Sequence, residues 1–257
     1  MTIQRRLVAE ALGTALLVAA VVGSGIMAQR LTGDRALALL ANTTATGGAL
    51  VAILLIFGPI SGAHLNTVVT LCMVAMKTQS RRSAAGYIVA QVVGGVVGAM
   101  LANAMFELPL VTWSATTRTG TAQFLSEGIA TFGLIGVVIA VGRTRAALTP
   151  FAVAAYIVAA YWFTASTSFA NPAVTIARAF SDTFAGIRPL DVGAFLLAQA
   201  IGAGAGAVVF SWLAPMPHPG ADRGARQPSG RASQRPRITG RRGPRSARAG
   251  ARRAGRR

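Results

Sequence analysis

Two short phrases, Asn66-Thr67-Val68-Val69-Thr70 and Asn171-Pro172-Ala173-Val174-Thr175, recur inside a chain otherwise built of long apolar runs. This duplication constrains the fold more than any other feature. Each phrase opens an apolar segment, 66–76 and 171–180. Ten or so helical residues cover only about 15 Å, half of a hydrocarbon core, so these pieces are expected to be re-entrant rather than spanning. Around them lie six runs long enough to cross, near 7–28, 37–57, 84–104, 123–143, 147–167 and 191–213.

The repetition reaches the spans themselves. Glu10 and Thr14 in the first span match Glu127 and Thr131 in the fourth, and Gln91, Gly94 and Gly98 in the third match Gln199, Gly202 and Gly206 in the sixth. Three spans separate the copies, an odd number, so the second half enters the membrane in the opposite orientation. The two short helices then come from opposite faces and meet near the midplane. Irregular backbone at that depth is tolerable only if it lines a cavity or is buried in protein, so the duplicated phrase marks a pathway. The fold class expected is an all-α membrane protein, six transmembrane helices plus two re-entrant half-helices in an inverted repeat. Residues 1–105 form the first repeat, 106–122 a connecting loop, 123–214 the second repeat and 215–257 a tail.

Composition agrees: 53% of the residues are hydrophobic and 12% charged, against about a quarter charged in soluble domains. The net charge of +18 does not describe a nucleic-acid-binding body, because thirteen of the 25 basic residues lie between Arg223 and Arg257. That segment, rich in Arg, Gly, Pro, Ser and Ala, has too few apolar residues to build a core and is expected to be disordered. Its charge suits anionic lipid heads or nonspecific nucleic acid, and composition separates neither from a non-native extension read from another frame of a GC-rich gene. Cys72 is the single cysteine and His64 and His218 the two histidines, so no disulfide framework, metal site or cofactor is expected. No nucleophile and base stand together, which argues against an enzyme. The basic Gln4-Arg5-Arg6 start resembles a signal peptide, but the run to Met27 is too long and holds Glu10, so it reads as a retained helix. Arg5, Arg6, Lys77, Arg81, Arg82, Arg143, Arg145 and the tail fall on one side, placing both termini in the cytoplasm.

The chemistry follows from residue types. Asn is a preferred N-cap and Pro at the next position is preset for helix, so Asn66 and Asn171 cap their half-helices and turn their carboxamides to the pathway. Two such donors and the positive ends of two half-helices favour a neutral solute over a cation. A carboxylate inside an apolar helix costs at least about 2.5 kcal/mol. Glu10 and Glu127 therefore need internal partners, and the expectation is that each accepts backbone N–H groups from the loop before a half-helix. The rival reading, a proton relay, lacks an intramembrane basic partner.

Ser61-Gly62-Ala63-His64-Leu65-Asn66, the Asn171-Pro172-Ala173 box and the paired Glu spans resemble the aquaporin and aquaglyceroporin family, over residues 5 to about 213. The stretch from Phe169 through Arg178 to Ile187 is similar to bacterial members associated with arsenic-resistance operons. The resemblance implies a passive channel in the inner membrane, without cofactor, assembled as a homotetramer, with Asn66, Thr67, Val68, Asn171, Pro172 and Ala173 at the pore midplane. Two departures stand out. Thr67 replaces the usual Pro of the first box, and Val174 stands where the family's filter has Arg, three residues after the second Asn. Spacing from the two Asn carries the other filter positions to Thr46, Ala159 and Ser168, none of them aromatic, basic or large. A wider, less charged constriction is expected, suited to glycerol-sized molecules or neutral metalloid acids such as arsenite. Tyr161, Trp162 and Phe163 are not placed by this spacing.

Other features have plainer readings. The paired glycines suit close helix packing, and Cys72, Met73 and Met76 suit half-helix core. His64 is either a vestibule residue or a structural imidazole. A gradient-coupled secondary transporter is the rival class, since inverted repeats with broken helices serve that function too.

Overall fold

A computed structural model of the protein describes residues 1–214; the readings made for the tail lie outside the described residues. Among them the helices are α1 (Ile3–Leu31), α2 (Arg35–Ser61), α3 (Thr67–Ala75), α4 (Arg81–Met105), α5 (Thr121–Thr144), α6 (Thr149–Phe163), α7 (Pro172–Arg178) and α8 (Pro189–Leu213), with a 3-10 turn over Ala146–Leu148 leading into α6. The six long ones, α6 counted with its 3-10 turn, are apolar and long enough to cross a membrane. The short ones, α3 with nine residues and α7 with seven, are not.

Local chemistry sets the ends. Asp34 caps α2, its Oδ1 accepting from Ala36 N at 2.7 Å and Leu37 N at 2.9 Å, and Ser80 caps α4 by accepting from Ser83 N. Helix α6 stops at Phe163, short of the 147–167 run read from hydropathy. Thr164 is extended there, and Thr167 and Ser168 adopt left-handed φ of 59° and 49°, which no right-handed helix accommodates.

The packing is a two-fold arrangement of four elements each. Helix α1 packs on α4 and α2, α5 packs on α8 and α6, and α2 meets α6 between the halves. The half-helices α3 and α7 both lie against α4 and α8 and touch one another. The tightest approaches are made by glycine. A Cβ on Gly94 would collide with the Ala11 carbonyl, one on Gly98 with that of Ala15, and one on Gly202 with that of Gly128, so the glycine pairs bring α1 onto α4 and α5 onto α8.

Polarity is distributed for lipid rather than water. On α4 the exposed Val89, Val93, Val97 and Leu101 recur every four residues along one face, while Glu10, Gln91, Glu127 and Gln199 are fully buried. Gly94→Val is expected to lower the thermal stability of the detergent-solubilised protein by about 1–3 kcal/mol, the range for overpacking. Gly204→Ala, where an added Cβ meets nothing within 4 Å among the described residues, should leave the melting curve in place.

Candidate functional site: a lumen between two half-helices

The loops that deliver the half-helices are held by the two buried carboxylates. Glu10 Oε1 accepts from His64 N (3.0 Å) and Ser61 Oγ (2.6 Å), and its Oε2 accepts from Leu65 N (2.7 Å) and Gln91 Nε2 (2.8 Å). Glu127 repeats the pattern: Phe169 N donates to Oε1 at 2.8 Å, and Ala170 N and Gln199 Nε2 donate to Oε2 at 2.9 and 2.7 Å. The same Gln residues donate to Thr70 and Thr175, whose hydroxyls in turn donate to the carbonyls of Asn66 and Asn171. Carboxylate, carboxamide and hydroxyl thus tie each loop to two spanning helices.

These loops are strained. Ala63 and Leu65 have φ of 44° and 48°, and the equivalent Ser168 and Ala170 have 49° and 47°. Each left-handed non-glycine residue costs on the order of 1–3 kcal/mol and persists only where its surroundings over-determine it. The carboxylates supply that determination, because the amides they accept belong to the strained segments.

The two N-termini then meet. Asn66 Oδ1 accepts from Val68 N, and Asn171 Oδ1 accepts from Ala173 N and Val174 N. Across the junction Asn66 Nδ2 donates to the Ala170 carbonyl at 2.8 Å and Asn171 Nδ2 to the Leu65 carbonyl at 2.7 Å. Each carboxamide has two N–H groups and spends one on the opposite loop, leaving the other for a solute. Thr67, in place of a Pro, donates to Gln91 Oε1 at 3.4 Å. The matching Gln199 Oε1 has no partner among the described residues. The Thr departure therefore exchanges a preset φ for a satisfied carbonyl.

A cavity of about 850 Å³ runs past this junction. It is lined by Met73, Met76 and Arg143 toward one mouth, by His64, Asn66 and Asn171 in the middle, and by Thr46, Tyr161, Ser168, Val174 and Arg178 toward the other. His64 does two things: it borders the lumen, and its Nδ1 lies 3.1 Å from Thr70 Oγ1 with Tyr87 edge-on at 5.3 Å. Thr67, Val68, Pro172 and Ala173 sit behind the Asn residues rather than on the wall, as do Glu10 and Glu127. Cys72 is buried; Met73 and Met76 border the lumen, and Met76 also packs against the core cluster around Val68, Cys72 and Ile135.

Two expectations about the constriction need correction. Ala159 is exposed on the outer face of α6. The lumen-facing register of α6 is Val153, Ile157 and Tyr161, four residues apart, and two positions from Ile157 is about 200° around the helix. Nor is the wall free of aromatic and basic groups, since Tyr161, Phe169 and Arg178 line it; Trp162 and Phe163 point outward.

Arg178 was missed because the spacing rule looks three residues past Asn171, while this side chain stands one turn further on the same helix face as Val174. It is 2% exposed, its Nε donates to the Ala185 carbonyl, and its guanidinium lies 3.3 Å from the Phe169 ring centre. A second guanidinium, that of Arg118, lies 4.8 Å from the same ring and donates to the carbonyls of Gly186 (2.7 Å), Ser166 (3.1 Å) and Phe184 (3.3 Å). Burial pulls Arg118 down to about 10, so it stays charged at neutral pH. It arrives on the segment read as a mere connecting loop. That segment docks on the stretch after α7 through Thr112 N to Phe180 O and Ser114 N to Ala179 O. The signal available in sequence was a basic residue in a short Thr-rich loop, indistinguishable there from a flanking charge.

Comparisons with known proteins agree with this geometry. The family described as Major intrinsic protein matches residues 1–163. The chain is 54% identical over 209 residues to aquaglyceroporin AqpS of Rhizobium meliloti (strain 1021), covering 81% of this chain and 90% of that protein. It is 37% identical over 148 residues to aquaporin NIP6-1 of Arabidopsis thaliana, covering 56% of this chain and 48% of that protein. The X-ray structure of the aquaglyceroporin from Plasmodium falciparum is similar in fold, with a TM-score of 0.63 at 22% identity, over 82% of this chain and 95% of that one.

Glu127→Gln turns one acceptor oxygen into a donor facing N–H groups that need acceptors. Melting of the purified protein should show a loss of about 1.5–3 kcal/mol, the scale of a charge-assisted hydrogen bond. Solute flux should be the same at pH 6 and pH 8 in wild type and in the surviving variant, each relative to its own maximum; a pH dependence in wild type that the variant loses would instead indicate a proton role.

Proposed function

The chain belongs to the major intrinsic protein family, whose members are channels and not enzymes, and we propose that its lumen passes glycerol-sized neutral solutes and neutral metalloid acids such as arsenous acid alongside water. The carrying observation is the cavity of about 850 Å³ that reaches both Asn carboxamides and keeps an apolar wall at Val174. The free N–H of Asn66 and of Asn171 replaces part of a solute's hydration at the junction, and the half-helix N-termini oppose cations there. Val174 leaves room where a guanidinium would take it up.

The same reading includes a homotetramer in the inner membrane with both termini cytoplasmic, supported by the family resemblance and by the side on which Lys77, Arg81, Arg143 and Arg145 fall. Contact of the Arg-rich tail with anionic lipid heads belongs to it as well.

Stopped-flow light scattering on proteoliposomes tests the reading. Purified protein should carry glycerol, arsenite and water equally in both directions without an ion gradient, and gradient-dependent accumulation would point to a coupled transporter instead. Asn171→Ala removes a lumen donor and a helix cap worth about 1 kcal/mol, so its flux per inserted channel should fall; full flux from a correctly inserted variant would overturn the role given to the junction.

A further inference from the structure

The α7 end of the lumen collects polar groups that the protein itself does not satisfy. Thr46 Oγ1 and Ser168 Oγ are buried without a hydrogen-bond partner among the described residues, and both residues line the cavity. Tyr161 is 3% exposed, lines the same wall and forms no side-chain hydrogen bond among the described residues. Arg178 uses only its Nε on protein, so among the described residues its two terminal nitrogens carry N–H groups with no protein acceptor. A buried guanidinium with idle donors is costly unless something in the lumen accepts from them.

Among the described residues its charge also has no ion-pair partner. The ion pair among the described residues is Arg188 with Asp191, and Arg178 has no carboxylate within that distance; what faces it is the ring of Phe169. Arg118, over the same ring, adds a second positive charge. Val174 and Arg178 are four residues apart on one helix face, about 6 Å along the axis. The apolar Val174 wall and a cationic donor site therefore succeed one another along the lumen.

We infer that Arg178, with the hydroxyls of Tyr161, Thr46 and Ser168, forms the specificity-determining subsite of this channel, a displaced filter that accepts hydroxyl-bearing neutral solutes and turns back cations. The inference rests on the channel reading above and deepens it. Val174 keeps the passage wide beside the junction, and selection is made one turn further on. A small polyol or undissociated oxyacid presents several oxygens to the guanidinium fork at once, whereas water presents one, so the subsite favours the larger solute over what width alone would give. A cation finds only neutral hydroxyl oxygens there and meets two guanidinium charges in a low-dielectric wall.

The test compares wild type, Arg178→Leu, Arg178→Lys, Tyr161→Phe and the double variant Val174→Arg/Arg178→Leu in proteoliposomes. Glycerol and water permeabilities and the leak of a proton-sensitive dye are measured per inserted channel. Arg178→Leu should open a proton or cation leak and lower the glycerol-to-water ratio by about tenfold, the scale of a charge-assisted hydrogen bond. Arg178→Lys should keep the leak closed yet lower the ratio, because one ammonium does not replace the fork. Tyr161→Phe should lower the ratio by about fivefold, the scale of a neutral hydrogen bond, without a leak. The double variant should close the leak again from the Val174 position. If Arg178 merely anchors the Ala185 segment, Arg178→Leu will melt earlier while keeping the wild-type ratio and leak, and that result overturns the inference. Should Arg178→Leu fail to insert, unchanged ratios in both Arg178→Lys and Tyr161→Phe overturn it equally. Absence of glycerol flux in wild type would strike the channel reading itself, a separate outcome.

Discussion

At membrane depth the amide groups of non-helical backbone find no water, and each one left unpaired costs several kcal/mol. Two such stretches, ending at Leu65 and Ala170, lie in the interior of this protein, and the carboxylates of Glu10 and Glu127 accept their N–H groups. Burying a charge is itself expensive, but each carboxylate also accepts a Gln side chain, so its lone pairs are largely used. The arrangement works because both costs cancel against the same hydrogen bonds. From it follow the left-handed residues that turn the loops, the placement of Asn66 and Asn171 as caps, and the lumen that passes between them.

Around this polar centre the helices are assembled by shape rather than by hydrophobic segregation. Lipid is as apolar as the side chains, so contact between helices must come from close fit. The glycines of α4 and α8 supply it by letting carbonyls of α1 and α5 approach where any Cβ would intrude. Rigid pairing of α1 with α4 and of α5 with α8 then fixes Glu10 relative to Gln91 and Glu127 relative to Gln199, which is the geometry the loops require. Packing and site are therefore one structure: a displaced helix would misplace a carboxylate.

The two halves differ where solute selection is concerned. Symmetry relates Glu to Glu, Gln to Gln and Asn to Asn, yet only the second half presents Arg178, Tyr161 and Phe169 to the lumen. The long segment between the repeats brings Arg118 over Phe169, so one end of the lumen has two guanidinium groups stacked on an aromatic ring, and the other a mouth bordered by Met73, Met76 and a single Arg143.

The sequence by itself determined the number of spans, the two re-entrant pieces and their opposed orientation, because hydrophobic length and a duplicated phrase are one-dimensional properties that the bilayer reads directly. It also determined the pairing logic of Glu10 and Glu127, since a carboxylate in an apolar helix has few physical fates. Which side chains face the lumen was decided only in three dimensions. Counting residues from Asn171 led to Val174 and passed over Arg178, and counting to Ala159 chose the wrong face of α6, because helix rotation depends on where Thr164 breaks the helix and on how α6 packs against α2 and α5. Arg118 is the extreme case. Its role comes from a loop folding back onto the segment after α7, more than sixty residues away in the chain, and contacts at such separation leave no periodic signal in the residues between them.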